Sequence, residues 1–162
     1  MHPKLRAIRR YNPAVLIELC RLWLILFYVD VRLELLPPRW NREFLFRKER
    51  DGAATPGPRT LAKLSKIVIL LRTAARFRLR SGSPCLCLSL ALRERLAPLG
   101  LRASIVYGAR KRSDRSKGID AHAWLVLGEA TLDPGGDAIS FTAFSKGLTV
   151  LFLCRSLVHL YR

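Results

Sequence analysis

The sequence is poor in the residues that build metal sites and disulfide networks. Its 162 residues include four cysteines, Cys20, Cys85, Cys87 and Cys154, and three histidines. The one close pair has C-x-C spacing, whereas structural zinc sites typically use C-x₂₋₄-C with a second ligand pair, which this chain lacks. A disulfide between Cys85 and Cys87 would close a very tight ring inside a predicted helix. We therefore expect no metal, no cofactor and no disulfide at this pair.

A secretory signal and a long uninterrupted apolar run are also missing. No small-residue cleavage site follows an apolar core near the N-terminus, so we expect free thiols in a reducing cytoplasm. The segment Pro13–Leu36 is apolar, but five charged residues interrupt it and leave Leu22–Val29 as the longest clean run. A bilayer-spanning helix needs about 20 apolar residues. We predict a buried or membrane-surface helix instead, which leaves peripheral membrane contact open.

Acidic residues are scarce, with 12 Asp and Glu against 29 Lys and Arg and a net charge of +17. Residues 1–84 hold 18 basic and 6 acidic residues, so most of the excess lies in the first half of the chain. Such a balance indicates an anionic partner. A nucleic-acid-binding module is the competing hypothesis, but the chain lacks the motifs of RNA-binding sheets, zinc fingers and helix-turn-helix domains. We expect no specific nucleic acid, and favour an acidic peptide, protein or membrane surface.

The length fits one domain, 1–162, with a basic helical part at 1–80 and a second part at 81–162. Asn12 is a good N-cap and Pro13 suits the first helical position, so the first helix should end before Pro37. A basic stretch, Arg39–Arg50, follows it. Further helices are predicted over Leu61–Ala74 and Pro84–Ala97, and the last is apolar nearly all round in its first turns, as in a helix buried in a core.

The pattern changes to strands after this third helix. Alternation predicts strands over Arg102–Lys111 and Ala121–Leu127, and a third over Ala130–Asp133 joined to the second by a hairpin at Gly128 and Glu129. Ile139–Phe144 and Leu148–Cys154 suit strand or helix. Helices followed by antiparallel strands indicate an α+β domain.

Cys85 is a candidate nucleophile. If Ser83 is the N-cap, Cys85 lies in the first turn, where unpaired N–H groups and the helix dipole favour a thiolate. Cys87 points about 200° away on the helix and should pack into the core. Free cysteine is also among the most buried residue types, so a core role for Cys85 stays open at this point.

A nucleophilic thiol needs a base, and His122 is the one histidine on a well-predicted strand. Small neighbours, Ala121 and Ala123, leave room for a group to approach its ring. A third group normally orients such a base. Asp133, across the hairpin, is the first candidate, while Asp120 and Asp137 are the alternatives.

A helix-borne cysteine followed by a strand-borne histidine and aspartate is the chain order of papain-like and transglutaminase-like enzymes. Three segments resemble motifs of the transglutaminase-like leader peptidase of lasso-peptide biosynthesis: Cys85–Leu92 (C-L-x-x-S-L-A-L), Gly100–Arg110 (G-x-x-A-x-x-x-x-G-x-R) and Ala121–Leu125 (A-H-A-W). The resemblance is dense from Cys85 to Asp133, and it implies a papain/transglutaminase-like fold in which N-terminal helices precede a small antiparallel sheet packed on the central cysteine helix.

This resemblance implies a cysteine peptidase that removes the leader from a ribosomally made precursor, with Cys85 as nucleophile, His122 as base and Asp133 as orienting carboxylate. It implies as partners the precursor peptide and an asparagine-synthetase-like lasso cyclase. No winged, strand-rich leader-binding module is evident before Cys85, so a separate leader-recognition protein is expected. An acyltransferase, a transglutaminase proper or an inactive scaffold of the same fold is the alternative.

Overall fold

The computed structural model describes residues 12–47, 56–77, 84–111, 118–136 and 138–144. Within these ranges four α-helices are followed by a four-stranded antiparallel sheet, which confirms the predicted α+β class. The helices are α1 (Pro13–Leu35), α2 (Pro38–Phe46), α3 (Pro58–Ala75) and α4 (Pro84–Leu96), and the strands are β1 (Ser104–Lys111), β2 (Ile119–Leu127), β3 (Ala130–Leu132) and β4 (Thr142–Ala143).

Helix α1 begins where its cap predicts. The side-chain oxygen of Asn12 accepts a hydrogen bond of 3.0 Å from the backbone N–H of Ala14, and Pro13 takes the first helical position. Among the described helices, none is both long enough and apolar enough to cross a membrane. One side of α1 is buried in the core, and the other exposes the large apolar residues Ile17, Leu24, Phe27, Tyr28 and Leu35.

Helix α2 overlaps the basic stretch Arg39–Arg50, for which no helix is predicted from the sequence. The buried side chain of Asn41 explains the sharp turn from α1 into α2. Its amide donates to the carbonyl oxygens of Arg32 and Leu36, each at 3.2 Å, and its oxygen accepts from Arg32 Nε. The last carbonyls of α1 are thereby satisfied by a residue of the next helix rather than by solvent.

The core lies where α1, α3 and α4 meet the sheet. Helix α4 is central, and its middle residues are buried on every side, as the apolar pattern predicts. Two buried arginines at its end tie it to other helices. Arg95 forms a two-point ion pair with Glu18 of α1, at 2.5 and 3.2 Å, and Arg93 donates to the carbonyl oxygen of Phe44 in α2. Side chains that are at most 1% exposed include Leu22, Leu64, Leu71, Leu90 and Leu125.

The sheet has the strand order β3-β2-β1-β4, and every neighbouring pair is antiparallel. Every residue of β1 pairs with β2, which places Gly108 opposite His122. The predicted hairpin between β2 and β3 is confirmed, and β3 pairs only with Leu125–Leu127 of β2. The stretch of β2 that carries His122 therefore extends beyond the end of β3.

Several predicted boundaries are wrong by one or two residues. β1 begins at Ser104 rather than Arg102, β2 begins at Ile119 rather than Ala121, and β3 ends at Leu132, so Asp133 lies in a loop. Helix α4 ends at Leu96, and a 3₁₀ turn, Ala97–Leu99, follows because Pro98 cannot continue an α-helical hydrogen-bond ladder.

The segment Ile139–Phe144, which suits strand or helix by pattern, contains both kinds of structure. A 3₁₀ turn, Ala138–Ser140, leads into the two-residue strand β4, which pairs with Gly108 and Ala109 of β1. This pairing brings Phe141 back to the middle of the sheet. The segment Leu148–Cys154 lies outside the described residues.

Candidate active site

Cys85 follows Pro84 in the first turn of α4 and is partly exposed. Residues two positions apart on a helix point about 200° away from each other, so Cys87 faces another direction. Cys87 is 2% exposed, packs into the core as predicted, and its thiol donates a hydrogen bond of 2.9 Å to the buried carboxylate of Asp30 in α1. Of the two thiols, Cys85 alone is placed to meet a substrate. Ser83, the predicted N-cap, lies outside the described residues.

Ala123 of β2 is the point where α4 docks on the sheet. The hydroxyl of Ser89, one turn after Cys85, donates a hydrogen bond of 2.8 Å to the Ala123 carbonyl oxygen. The backbone N–H of Ala123 in turn lowers the pKa of the Cys85 thiol, so it lies close to the sulfur. A strand normally makes such bonds to Ala123, but β3 has already ended there. The helix thereby replaces a strand at this edge and brings Cys85 next to the residue that follows His122.

His122 is buried on β2, with an exposed fraction of 8%. Its ring stacks on Phe141, with ring centroids 4.8 Å apart, and on Trp124, with centroids 5.8 Å apart. The small residue opposite it, Gly108, is required because a Cβ there would lie 2.6 Å from the Trp124 ring. These aromatic contacts restrain the plane of the imidazole independently of its hydrogen bonds.

Asp133 lies at hydrogen-bond distance from His122. The Nε2 atom of His122 is 3.0 Å from Oδ1 and 3.1 Å from Oδ2 of the carboxylate. The same carboxylate accepts backbone N–H groups from Gly135 at 2.8 Å and from Ala138 at 2.6 Å. Burial by itself raises the pKa of Asp133, but the hydrogen bonds from His122 and from backbone N–H groups outweigh it, so the pKa lies below its ordinary value.

The ionised state of Asp133 determines which nitrogen of His122 carries the proton. A carboxylate can only accept hydrogen bonds, so the Nε2 that faces it must be the N–H donor. The neutral ring then has its lone pair on Nδ1. This is the tautomer in which Nδ1 can accept a proton from a thiol.

Burial raises the pKa of the Cys85 thiol, and the negative charge of Asp133 adds to the effect. The backbone N–H groups of Ala123, Leu86 and Cys85 itself lower the pKa, but by less than burial raises it. The helix start therefore acts on the pKa in the expected direction, but burial outweighs it, so the expected thiolate is not the favoured form of the resting site. Because the sulfur is shielded from water, the neutral thiol is the favoured form at neutral pH, and a base must remove its proton during a reaction.

Gly135 explains how the loop after β3 comes so close to His122. A Cβ at position 135 would lie 2.5 Å from Cε1 of the imidazole and 3.2 Å from Oδ1 of Asp133. No real Cβ approaches a ring carbon at that distance. The absence of a side chain is therefore a condition for the contact between His122 and Asp133.

The alternative residues are placed elsewhere or lie outside the described residues. Asp120 is opposite Arg110 in the register of β1 and β2, and its carboxylate is 3.5 Å from Arg110 Nε. Asp137, His2 and His159 lie outside the described residues. Within the described ranges, no group of three or more His, Cys, Asp or Glu side chains is arranged to hold a metal ion.

Three residues of the site are missed by sequence reasoning. Phe141 covers the imidazole, Ser89 docks the helix, and Arg72 of α3 donates to the carbonyl oxygens of Asp133 and Pro134. Ser89 has a detectable signal, because it is the one polar residue among the apolar turns of Cys85–Leu92. Arg72 and Phe141 have none, because each meets the site only through folding of distant segments.

Comparison with known proteins gives one match. The family model of the transglutaminase-like superfamily matches residues 23–146, a range that contains Cys85, His122 and Asp133. No curated protein sequence and no solved structure matches the chain significantly.

Proposed function

The chain belongs to the transglutaminase-like superfamily, and on that premise we propose that it is a cysteine peptidase that removes the leader from a lasso-peptide precursor. The superfamily includes cysteine proteases and transglutaminases. The observation that carries the proposal is the hydrogen bond between His122 and Asp133. His122 is next to Ala123, whose backbone N–H lowers the pKa of the Cys85 thiol. Cys85 is the nucleophile, His122 the base and Asp133 the orienting carboxylate.

In the first half of the reaction, Nδ1 of His122 accepts the thiol proton as the Cys85 sulfur attacks the carbonyl carbon of the leader–core amide. The backbone N–H of Cys85 is available to stabilise the resulting oxyanion. The C–N bond then breaks, and the imidazolium gives its proton to the amine of the departing core peptide. The leader is left as a thioester on Cys85.

In the second half, His122 removes a proton from water as the water oxygen attacks the thioester carbon. The C–S bond breaks, the leader leaves with a free carboxyl group, and the sulfur regains its proton from the imidazolium. Asp133 stays ionised throughout, because its role is to fix the tautomer and to stabilise the positive imidazolium.

The motifs of Cys85–Leu92, Gly100–Arg110 and Ala121–Leu125 support the lasso-precursor substrate. The structure gives two of these motifs a physical purpose: Ser89 docks the cysteine helix on β2, and Gly108 makes room for the Trp124 ring beside His122. Helix α3 exposes two lysines, Lys63 and Lys66, which suit an acidic leader or partner surface.

We propose the partners that the resemblance implies: the precursor peptide, a separate leader-recognition protein and an asparagine-synthetase-like cyclase that takes the released core. The apolar outer side of α1, with Ile17 and Leu35 each 69% exposed, supports a protein contact at this face. The described cysteines Cys20, Cys85 and Cys87 form no disulfide with one another, which suits a reducing cytoplasm.

The test is a cleavage assay with the precursor and its leader-recognition protein. Wild type, Cys85→Ala, Cys87→Ala and His122→Ala are compared by mass spectrometry of the products. We expect cleavage by wild type and Cys87→Ala, and none by Cys85→Ala or His122→Ala. Mass spectrometry of trapped protein should show the leader attached to Cys85.

Two results would contradict the proposal. Cleavage that survives in Cys85→Ala would remove the nucleophile from this position, and loss in Cys87→Ala alone would move it two residues along. Transfer of the leader to an added amine with no hydrolysis product would identify an acyltransferase, because the same thioester would then be resolved by an amine instead of water.

A further inference from the structure

The loop that carries Asp133 is held from two sides. On the inner side, the Asp133 carboxylate binds the backbone N–H groups of Gly135 and Ala138 as well as His122. On the outer side, Arg72 of α3 donates from Nε to the Pro134 carbonyl oxygen at 2.6 Å and from Nη2 to the Asp133 carbonyl oxygen at 3.2 Å. Two consecutive carbonyls of this loop are thus fixed by one guanidinium.

We propose that Arg72 is a positioning residue of the active site, which acts on the reaction through the backbone at Asp133 and Pro134. The inference rests on the proposed function, since it assigns Arg72 a role in orienting the same His122. Arg72 binds neutral carbonyl oxygens, so its contribution is geometric: it determines where the Asp133 carboxylate stands, and the carboxylate determines where the imidazole points.

Helix α3 gives Arg72 a rigid base. The preceding residue, Leu71, is fully buried in the core, and Ala74 on the same helix is 1% exposed. The guanidinium fits against the loop because Gly136 has no side chain: a Cβ there would lie 2.8 Å from Arg72 Nη2. The planar fork of arginine can reach two carbonyls at once, whereas a lysine ammonium at the end of a flexible chain cannot reproduce both bonds.

The contact with Pro134 also bears on Cys85. Continuing the register of β2 and β3 from Leu125 and Leu132 would place Pro134 opposite Ala123. In that arrangement the Pro134 carbonyl would accept the N–H of Ala123. In the structure Arg72 Nε donates to this carbonyl, and the N–H of Ala123 acts on the thiol of Cys85, whose pKa it lowers. Arg72 thus holds the loop at the point where the pairing of β2 and β3 stops.

The test is a double-mutant cycle between Arg72 and Asp133 in the cleavage assay. We expect Arg72→Gln to lower kcat by about 10- to 100-fold with little change in KM, since a displaced catalytic group costs rate rather than binding. Arg72→Lys, which can keep one bond, should recover part of the loss. In an Asp133→Asn background, Arg72→Gln should cause no further loss, because the group through which it acts is already impaired.

The control is Arg59→Gln, which removes an exposed cation from the same helix and should leave kcat unchanged. An equal loss from Arg72→Gln in both backgrounds would overturn the proposal, and so would a rise in KM with unchanged kcat, which would identify a substrate-binding residue. Thermal unfolding checks that the variants fold.

A second measurement on the same proteins needs no peptide. The rate at which iodoacetamide alkylates Cys85 is followed by mass spectrometry, and Arg72→Gln should change its pH profile while Arg59→Gln should not. If wild type fails to cleave the precursor, the proposed function fails, but this profile still tests Arg72. An Arg72→Gln profile that matches wild type would overturn the positioning role by itself.

Discussion

The hydroxyl of Ser89 donates a 2.8 Å hydrogen bond to the carbonyl oxygen of Ala123, and both residues are buried. This bond joins the helix of Cys85 to the strand of His122, because Ser89 is one turn from the thiol and Ala123 is next to the imidazole. The distance between the proposed nucleophile and its base therefore depends on a residue that reacts with nothing.

Ser89→Ala should lower the free energy of unfolding by about 1–3 kcal/mol, because the buried Ala123 carbonyl loses its partner. Urea unfolding at neutral pH measures the change. Ser65→Ala is the matched control: its hydroxyl bonds to Leu61 within an exposed part of α3, so the change should stay within about 0.5 kcal/mol. Equal effects of the two substitutions would contradict the docking role of Ser89.

Gly135→Ala should lower kcat by about 10- to 100-fold, because the new methyl group would occupy the space of the His122 ring and push it from Asp133. Steady-state cleavage kinetics provide the measurement. Gly57→Ala is the control, since a Cβ at that position meets nothing within 4 Å. If Gly135→Ala cleaves at the wild-type rate, the ring has more freedom than the close contact indicates.

Asp133→Asn should lower kcat by about 10²- to 10⁴-fold while the fold is retained. The amide can donate to Nε2, which favours the tautomer with the proton on Nδ1, where it blocks acceptance of the thiol proton. Asp120→Asn removes a carboxylate that faces Arg110 and should keep activity near wild type. A strong loss in Asp120→Asn with little loss in Asp133→Asn would exchange the roles of the two carboxylates.

Alkylation of Cys85 by iodoacetamide should accelerate with rising pH through a midpoint above the ordinary pKa of a cysteine thiol. The sign follows from burial, which raises the pKa and keeps the thiol protonated until a higher pH. Mass spectrometry of the peptide that contains Cys85, sampled across the pH range, gives the profile. A reactive plateau at neutral pH would instead show a thiolate paired with a protonated His122.

The three proposed catalytic residues can be predicted because each lies in a segment with a local pattern. Cys85 follows a Ser-Pro helix start, His122 lies on an alternating strand, and the short turn at Gly128 and Glu129 permits one hairpin that brings Asp133 across. These signals depend on neighbours within a few residues, so one sequence is enough to detect them.

Other parts of the site depend on contacts between distant segments. Arg72 contacts Asp133, which is 61 residues further along the chain. Helix α2 is held by the buried side chain of Asn41. Neither contact produces a hydrophobic periodicity that could be detected in the sequence. The raised pKa of Cys85 is of the same kind, because it reflects how much protein surrounds the sulfur. A helix start is visible in sequence, whereas the burial of that start is a property of the assembled fold.

Strand β3 is three residues long, and its short length determines which neighbours strand β2 can pair with. Strand β2 is divided between two kinds of neighbour, a strand at Leu125–Leu127 and a helix at Ala123. Pro134 marks the division, because it has no N–H with which to extend the ladder. A residue with an N–H at this position could donate to the Ala123 carbonyl oxygen and compete with the Ser89 hydroxyl for it. The proline therefore leaves this part of the edge of β2 to helix α4.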